Sequence, residues 1–194
     1  MNYPEISRLK LVASSIAIGY VWMLPVLATL GFAEKGGTSI SEFIANPHAT
    51  GAMAVSSFIP LNLVLEYQEY QIKTHQRGTW ITLVMFLLSY GAFLICTVNY
   101  TPLIHSVVVA LFGVCFIIHS MYIICYINPS HRGKIVLSIG ILAFASLLLV
   151  NGMWFWMMEC IGFSCMVLFT PVELYQSSNV PYELDDKSGL IQCT

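Results

Sequence analysis

The chain has 194 residues, of which 57% are hydrophobic and only 9% are charged, with a net charge of −2. An ordinary water-soluble domain is about a quarter charged, so the composition argues strongly against a soluble globular protein. At about 20 apolar residues per transmembrane helix, the apolar runs use nearly the whole chain. They leave no room for a separate soluble enzyme domain, and we expect no nucleic-acid partner.

Six apolar runs predict six transmembrane helices, at residues 9–32, 48–67, 79–98, 103–127, 134–150 and 154–172. The longest connection is the polar stretch 33–47. The fifth and sixth runs would form one stretch too long for a single span, but Asn151-Gly152 is a strong turn signal that divides it. The predicted fold is an all-α, six-helix transmembrane bundle over residues 1–174, followed by a tail at 175–194.

The basic residues predict which side of the membrane each connection occupies, because Lys and Arg are retained in cytosolic loops during insertion. With six spans, the amino terminus, the second and fourth connections and the tail share one side. That side holds Arg8, Lys10, Lys73, Arg77, Arg132, Lys134 and Lys187, and the other side holds Lys35 alone. Both termini are therefore predicted to be cytosolic.

Polar and ionisable side chains recur at the non-cytosolic ends of the predicted spans. Such groups are costly at membrane depth and are functional candidates by default. The candidate site consists of Ser41, Glu42, His48, Asn99, His105 and Glu159. If they converge, they would line a cup for a lipid headgroup or a membrane-protein partner, with residues 39–47 as its lid. The alternative is that they tie helix ends together, since polar side chains commonly link helices in membranes.

Four histidines raise the alternative of a b-type haem cytochrome. His105 and His119 are fourteen residues apart, so they lie within about 40° of one helix face but about 21 Å apart along the axis. One metal ion cannot bind both, whereas two stacked haems could, with His48 and His131 as partners. His131 adjoins Arg132 in a predicted cytosolic loop, where solvated histidines are ordinary. We therefore expect no cofactor and no metal, and keep haem as an alternative.

Catalytic motifs are missing from the sequence. It contains no GxSxG elbow, HExxH pair or phosphate-binding loop. A ceramidase-like membrane hydrolase would need an intramembrane Asp, but the only aspartates are Asp185 and Asp186 in the tail. We expect a protein that acts through contacts with membrane lipids or proteins. The alternative is a lipid-remodelling enzyme that uses His105 and Glu159.

The tail contains a pattern that resembles an acidic dileucine sorting signal. Asp186 is separated by three residues from Leu190-Ile191, and clathrin adaptors bind such signals on the cytosolic side. The predicted topology places the tail on that side. The pattern therefore favours endosomes or lysosomes, with the Golgi and the plasma membrane as alternatives.

Several elements in this order resemble the DRAM family, the damage-regulated autophagy modulators, with their Frag and Sfk relatives and the GPI-anchor remodelling factor of the Golgi. They are Ile40-Ser41-Glu42 before Pro47, Asn99-Tyr100, His105, His131-Arg132 and Glu159. Glu42 stands where the family has Asp, and Tyr100 where it has Phe. The resemblance implies a lysosomal or other endomembrane protein with six spans that modulates autophagy or lipid handling without established catalysis.

Overall fold

The computed structural model describes residues 3–57, 79–99, 101–127 and 129–177, and these residues form helices joined by short connections, with no strand among them. The helices are α1 (Tyr3–Thr29), α2 (Ile40–Phe43), α3 (47–57), α4 (Thr79–Ile95), α5 (Pro102–Tyr122), α6 (His131–Ser146) and α7 (Met153–Ser177), and a π-helical turn, Ile123–Ile127, continues α5. The predicted all-α fold is confirmed for these residues.

Lipid-facing surfaces of the helices are strongly apolar. On α5, Leu103, Val107, Leu111, Val114 and Ile118 are each between 48% and 79% exposed and recur every three or four residues. An apolar stripe on the outside of a helix fits hydrocarbon as the surrounding solvent. Within the described parts of the chain, three helical segments are long and apolar enough to cross a membrane: Leu11–Thr29, Pro102–Tyr126 and Met153–Glu173. The chain is thus an integral membrane protein, while the count of six spans and the cytosolic side of its termini stay predictions.

Helix boundaries differ from the predicted spans in several places. The third run ends as a helix at Ile95, because residues 96–99 leave the helix before Pro102 begins α5. The fifth run is shifted toward the amino terminus, since Ser130 caps α6 by accepting a hydrogen bond from the N–H of Gly133 at 3.0 Å. Gly152 has a φ of 56°, which confirms the predicted turn between α6 and α7. Of the second run, 58–67 lies outside the described residues.

Small residues let α7 pack closely against its two neighbours. α1 faces α7 with buried Ser14, Ala17 and Val21, and Ser14 Oγ donates to the carbonyl of Val167 at 3.4 Å. α6 faces α7 with buried glycines: a Cβ at Gly140 would lie 3.0 Å from the Cβ of Cys165. Close backbone approach through small residues is how transmembrane helices gain van der Waals contact.

Aromatic side chains fill the interface between α4 and α5. Phe86 stacks on Phe112 and on His119, with ring centroids 5.7 and 5.8 Å apart, and Phe93 stacks on Phe112 at 5.8 Å. Tyr90 lies between the two phenylalanines of α4 at one-turn spacing and also contacts Phe112. α4 and α5 therefore form a closely packed pair whose aromatic face is buried in the bundle.

Candidate functional site

A cavity of about 690 Å³ lies at one end of the bundle. Its lining comes from the ends of α4 and α6, the beginnings of α5 and α7, residues 38–42 and Met53 of α3. This end, which we call the cavity end, is where residues 33–46, 96–99 and 147–152 lie. A volume of this size is typical of small-molecule and cofactor sites.

Residues 38–42 close the cavity end as a hydrogen-bonded turn. Ser39 Oγ accepts from the N–H of Glu42 at 3.1 Å, which caps α2. The Oε2 atom of Glu42 in turn accepts from the N–H and the hydroxyl of Thr38, at 2.6 and 2.9 Å. Ser39 and Ser41 hydroxyls are 3.0 Å apart. The predicted lid therefore contains a short, capped helix rather than an irregular loop.

Glu159 connects this turn to α7. Its Oε2 accepts from the N–H of Ile40 at 2.6 Å, and the residue is only 7% exposed. Phe43 adds an edge-to-face contact with Trp156, with centroids 6.2 Å apart. A carboxylate and an aromatic ring one turn apart on α7 thus hold the lid over the cavity.

His105 contributes its ring to the cavity wall. It is 4% exposed, packs against Phe93 with centroids 6.0 Å apart, and its Nδ1 hydrogen-bonds the carbonyl of Cys96. That bond joins α5 to the chain just beyond α4, and it requires a proton on Nδ1 because a carbonyl oxygen only accepts. His105 therefore holds the chain at Cys96, just beyond α4, against α5 at the rim of the cavity.

Apolar residues form the rest of the wall and continue to the outside of the bundle. On α5, Val109, Gly113 and Ile117 follow His105 at one-turn spacing along the cavity. Beside them, Ala110 and Val114 of α5 and Leu148 near α6 also line it, and these are exposed on the lipid-facing surface, Val114 by 52% and Leu148 by 90%. The cavity consequently has a side opening between α5 and α6, which we call the α5–α6 opening.

The structure brings four of the six predicted site residues together and leaves two apart. Ser41, Glu42, His105 and Glu159 line the cavity. His48 and Asn99 are exposed and are not part of its lining. His48 lies within the turn in which Asn46 Oδ1 accepts from the N–H of Ala49 at 2.8 Å. Whether the cavity binds a ligand stays a prediction.

The aromatic and small residues of the wall were missed by sequence reasoning. Tyr90, Phe93, Phe112, Phe144 and Phe163 line the cavity beside Ala110 and Gly113. The sequence held one signal for these wall residues, which is a spacing of three or four residues. It is seen for Phe86, Tyr90 and Phe93 in α4 and for His105, Val109 and Gly113 in α5. That signal is the ordinary periodicity of a buried face.

The haem alternative gains no support from the positions of the histidines. The Nε2 atoms of His105 and His119 are fully enclosed by protein, so iron could reach them only if the neighbouring helices moved apart. His48 and His131 are exposed. Among the described residues, no group of three or more His, Cys, Asp or Glu is placed to hold a metal ion.

Comparisons with protein-family models, curated proteins and solved structures find no match to this chain. The DRAM resemblance accordingly stays a prediction. The candidate sorting signal, Asp186, Leu190 and Ile191, lies outside the described residues.

Proposed function

We propose that this chain is a multi-pass endomembrane protein that binds a membrane lipid in the cavity and acts through lipid or protein contacts without turning over a substrate. One observation carries the proposal. The polar groups of the cavity are concentrated at one end, around Glu42 and Glu159, while its apolar wall continues to the bilayer-facing α5–α6 opening. A lipid has the same division into a polar headgroup and an apolar chain.

The side opening favours a lipid over a water-soluble ligand. A solute entering between α5 and α6 would have to cross hydrocarbon, whereas a lipid already resides there. Burial of a chain against Val109, Val114 and Ile117 would be driven mainly by dispersion contacts, because lipid tails are as apolar as the wall. Selectivity must therefore come from the headgroup at the polar end.

Photo-crosslinking tests the proposal. The purified full chain is placed in phosphatidylcholine nanodiscs with a lipid that carries a diazirine in its chain, and crosslinked residues are mapped by mass spectrometry. We expect crosslinks concentrated at Val109–Ile117 of α5 and at 144–148, above the level on the lipid-facing side of α1. Equal labelling of all lipid-exposed faces would contradict a specific lipid site.

A matched pair of substitutions separates the opening from the general lipid surface. Ala110→Trp places an indole in the α5–α6 opening and is expected to reduce specific crosslinking at least about fivefold, since a filled site excludes the chain. Leu111→Trp adds a similar side chain on the same helix, outside the cavity lining, and is expected to leave crosslinking unchanged.

Compartment and topology form a second part of the proposal. We place the protein in endosomes or lysosomes with six spans and cytosolic ends, as the basic residues and the DRAM resemblance imply. Leu190→Ala with Ile191→Ala is expected to move a tagged protein to the plasma membrane, while Leu184→Ala, also in the tail, is expected not to. Unchanged localisation would remove the sorting signal. Termini accessible from opposite faces of the membrane would remove the topology.

Two rival functions have direct readouts. A lipid-remodelling enzyme would release product from the crosslinked lipid class, and that product would disappear with His105→Ala or Glu159→Ala. A b-type cytochrome would purify with a Soret absorbance band. We expect neither product nor band.

A further inference from the structure

Among the described residues that line the cavity, the acidic side chains are Glu42 and Glu159. There is no lysine or arginine among these described lining residues. The two carboxylates lie over the same turn: Glu42 accepts from Thr38, and Glu159 accepts from the N–H of Ile40, two residues later. A bound headgroup would therefore meet two acidic groups and no basic side chain.

Each carboxylate keeps an unused acceptor. Both use Oε2 for the hydrogen bonds to the lid, and neither Oε1 has a hydrogen-bond partner among the residues that the structure describes. For Glu159, which is only 7% exposed, a single backbone N–H is poor compensation for the loss of water around a carboxylate. A cation beside Oε1 would supply the missing partner.

We propose that the cavity selects a long-chain amine, a lipid whose headgroup carries a protonated amino group and no phosphate, such as a sphingoid base. This inference rests on the proposed lipid-binding function. The ammonium would lie between Glu42 and Glu159, donate to their Oε1 atoms, and place its chain along Val109 and Gly113 toward the α5–α6 opening. An ammonium has three donors and no acceptor, so it matches two carboxylates without leaving an unpaired acceptor of its own.

Electrostatics disfavour the commoner anionic lipids at the same place. A phosphate or carboxylate headgroup would face two carboxyl groups and no cationic side chain among the described lining residues. In a site of low dielectric constant an anion without a positive partner is costlier than in water. A neutral hydroxyl headgroup could donate one hydrogen bond but would leave the second carboxylate unpaired. We therefore expect the amine to bind most tightly, the alcohol less tightly and the acid least tightly.

Competition in nanodiscs tests this order with three probes that differ only in the headgroup: octadecylamine, octadecanol and octadecanoate. Each is added at increasing mole fraction against the diazirine lipid, and loss of crosslinking at Val109–Ile117 is measured. Because hydrogen bonds to charged groups are the stronger ones, we expect octadecylamine to compete at a mole fraction about tenfold lower than octadecanol. Octadecanoate is expected to compete least.

Charge-removing variants identify the partner of the amine. In Glu159→Gln, we expect octadecylamine to compete only at the mole fraction that octadecanol requires. The mole fraction required for octadecanol is expected not to change. Glu42→Gln serves the same purpose if the first variant does not fold. The matched control is Glu34→Gln, because Glu34 is exposed, belongs to the same connection and does not line the cavity. The Glu34→Gln variant is expected to prefer octadecylamine over octadecanol as strongly as the wild type does.

The outcomes distinguish the two proposals. If octadecanol competes as well as octadecylamine in the wild type, the amine inference is overturned and lipid binding stands. If none of the probes competes and labelling is uniform, both are overturned. An amine preference that survives Glu159→Gln and Glu42→Gln alike would also overturn the inference, because it would place the amine elsewhere.

Discussion

Gly133→Ala tests the contact between α6 and α7 at the end of the bundle opposite the cavity. Glu173, near the end of α7, accepts from Ser130 through both carboxylate oxygens: from the hydroxyl at 2.5 Å and from the N–H at 3.2 Å. A Cβ at Gly133 would lie 2.0 Å from Oε1 of Glu173 and 3.2 Å from the ring of Phe169. The carboxylate would have to swing away, and both hydrogen bonds would be lost.

The expected loss follows from these contacts. Hydrogen bonds between transmembrane helices average about 0.6 kcal/mol, and bonds to charged groups are stronger at about 1.5–3 kcal/mol. Replacing a helical glycine by alanine stabilises the helix by up to about 1 kcal/mol, and this gain offsets part of the loss. We expect Gly133→Ala to reduce the free energy of unfolding by about 1–2 kcal/mol.

The free energy of unfolding is measured by steric trapping in micelles, in a double-mutant cycle with Glu173→Ala. Without the carboxylate the clash disappears, so Gly133→Ala is expected to be neutral or stabilising in that background. Gly51→Ala is the control, since a Cβ there meets nothing within 4 Å. The same destabilisation by Gly133→Ala with and without Glu173 would refute the reasoning.

Two further substitutions test the packing around the cavity. Gly162→Ala places a Cβ 2.5 Å from the ring of Phe144, and we expect overpacking to cost about 1–3 kcal/mol of unfolding free energy. Gly19→Ala, whose Cβ would meet nothing within 4 Å, is expected to leave the unfolding free energy unchanged or to raise it by up to about 1 kcal/mol. An equal loss in both variants would contradict the close contact at Gly162. Ser39→Ala removes the cap of α2 and is expected to cost about 1 kcal/mol. Proteolysis in the 33–46 connection should become faster, whereas Ser15→Ala on the lipid-facing side of α1 should not change it.

Part of the candidate site could be predicted because polar residues are rare in this chain. Among so many apolar residues, Glu159 and His105 stand out at predicted helix ends, and Glu42 stands out in the longest connection. The energetic cost of placing such groups in a membrane is enough to make them candidates. His48 and Asn99 met the same criterion and nevertheless lie outside the cavity, because position near a helix end does not specify the direction of a side chain around the axis.

By itself the sequence determined the helical, membrane-embedded character of the chain, since apolar runs in hydrocarbon must satisfy their backbone hydrogen bonds internally. Asn151-Gly152 likewise marked a turn, because glycine readily adopts the positive φ found there. Only the tertiary structure decided that α5 and α6 leave an opening, that Phe144 fits against Gly162, and that Glu159 bonds to Ile40. These features depend on which helices are neighbours and how each is rotated, and hydrophobic periodicity alone does not encode either.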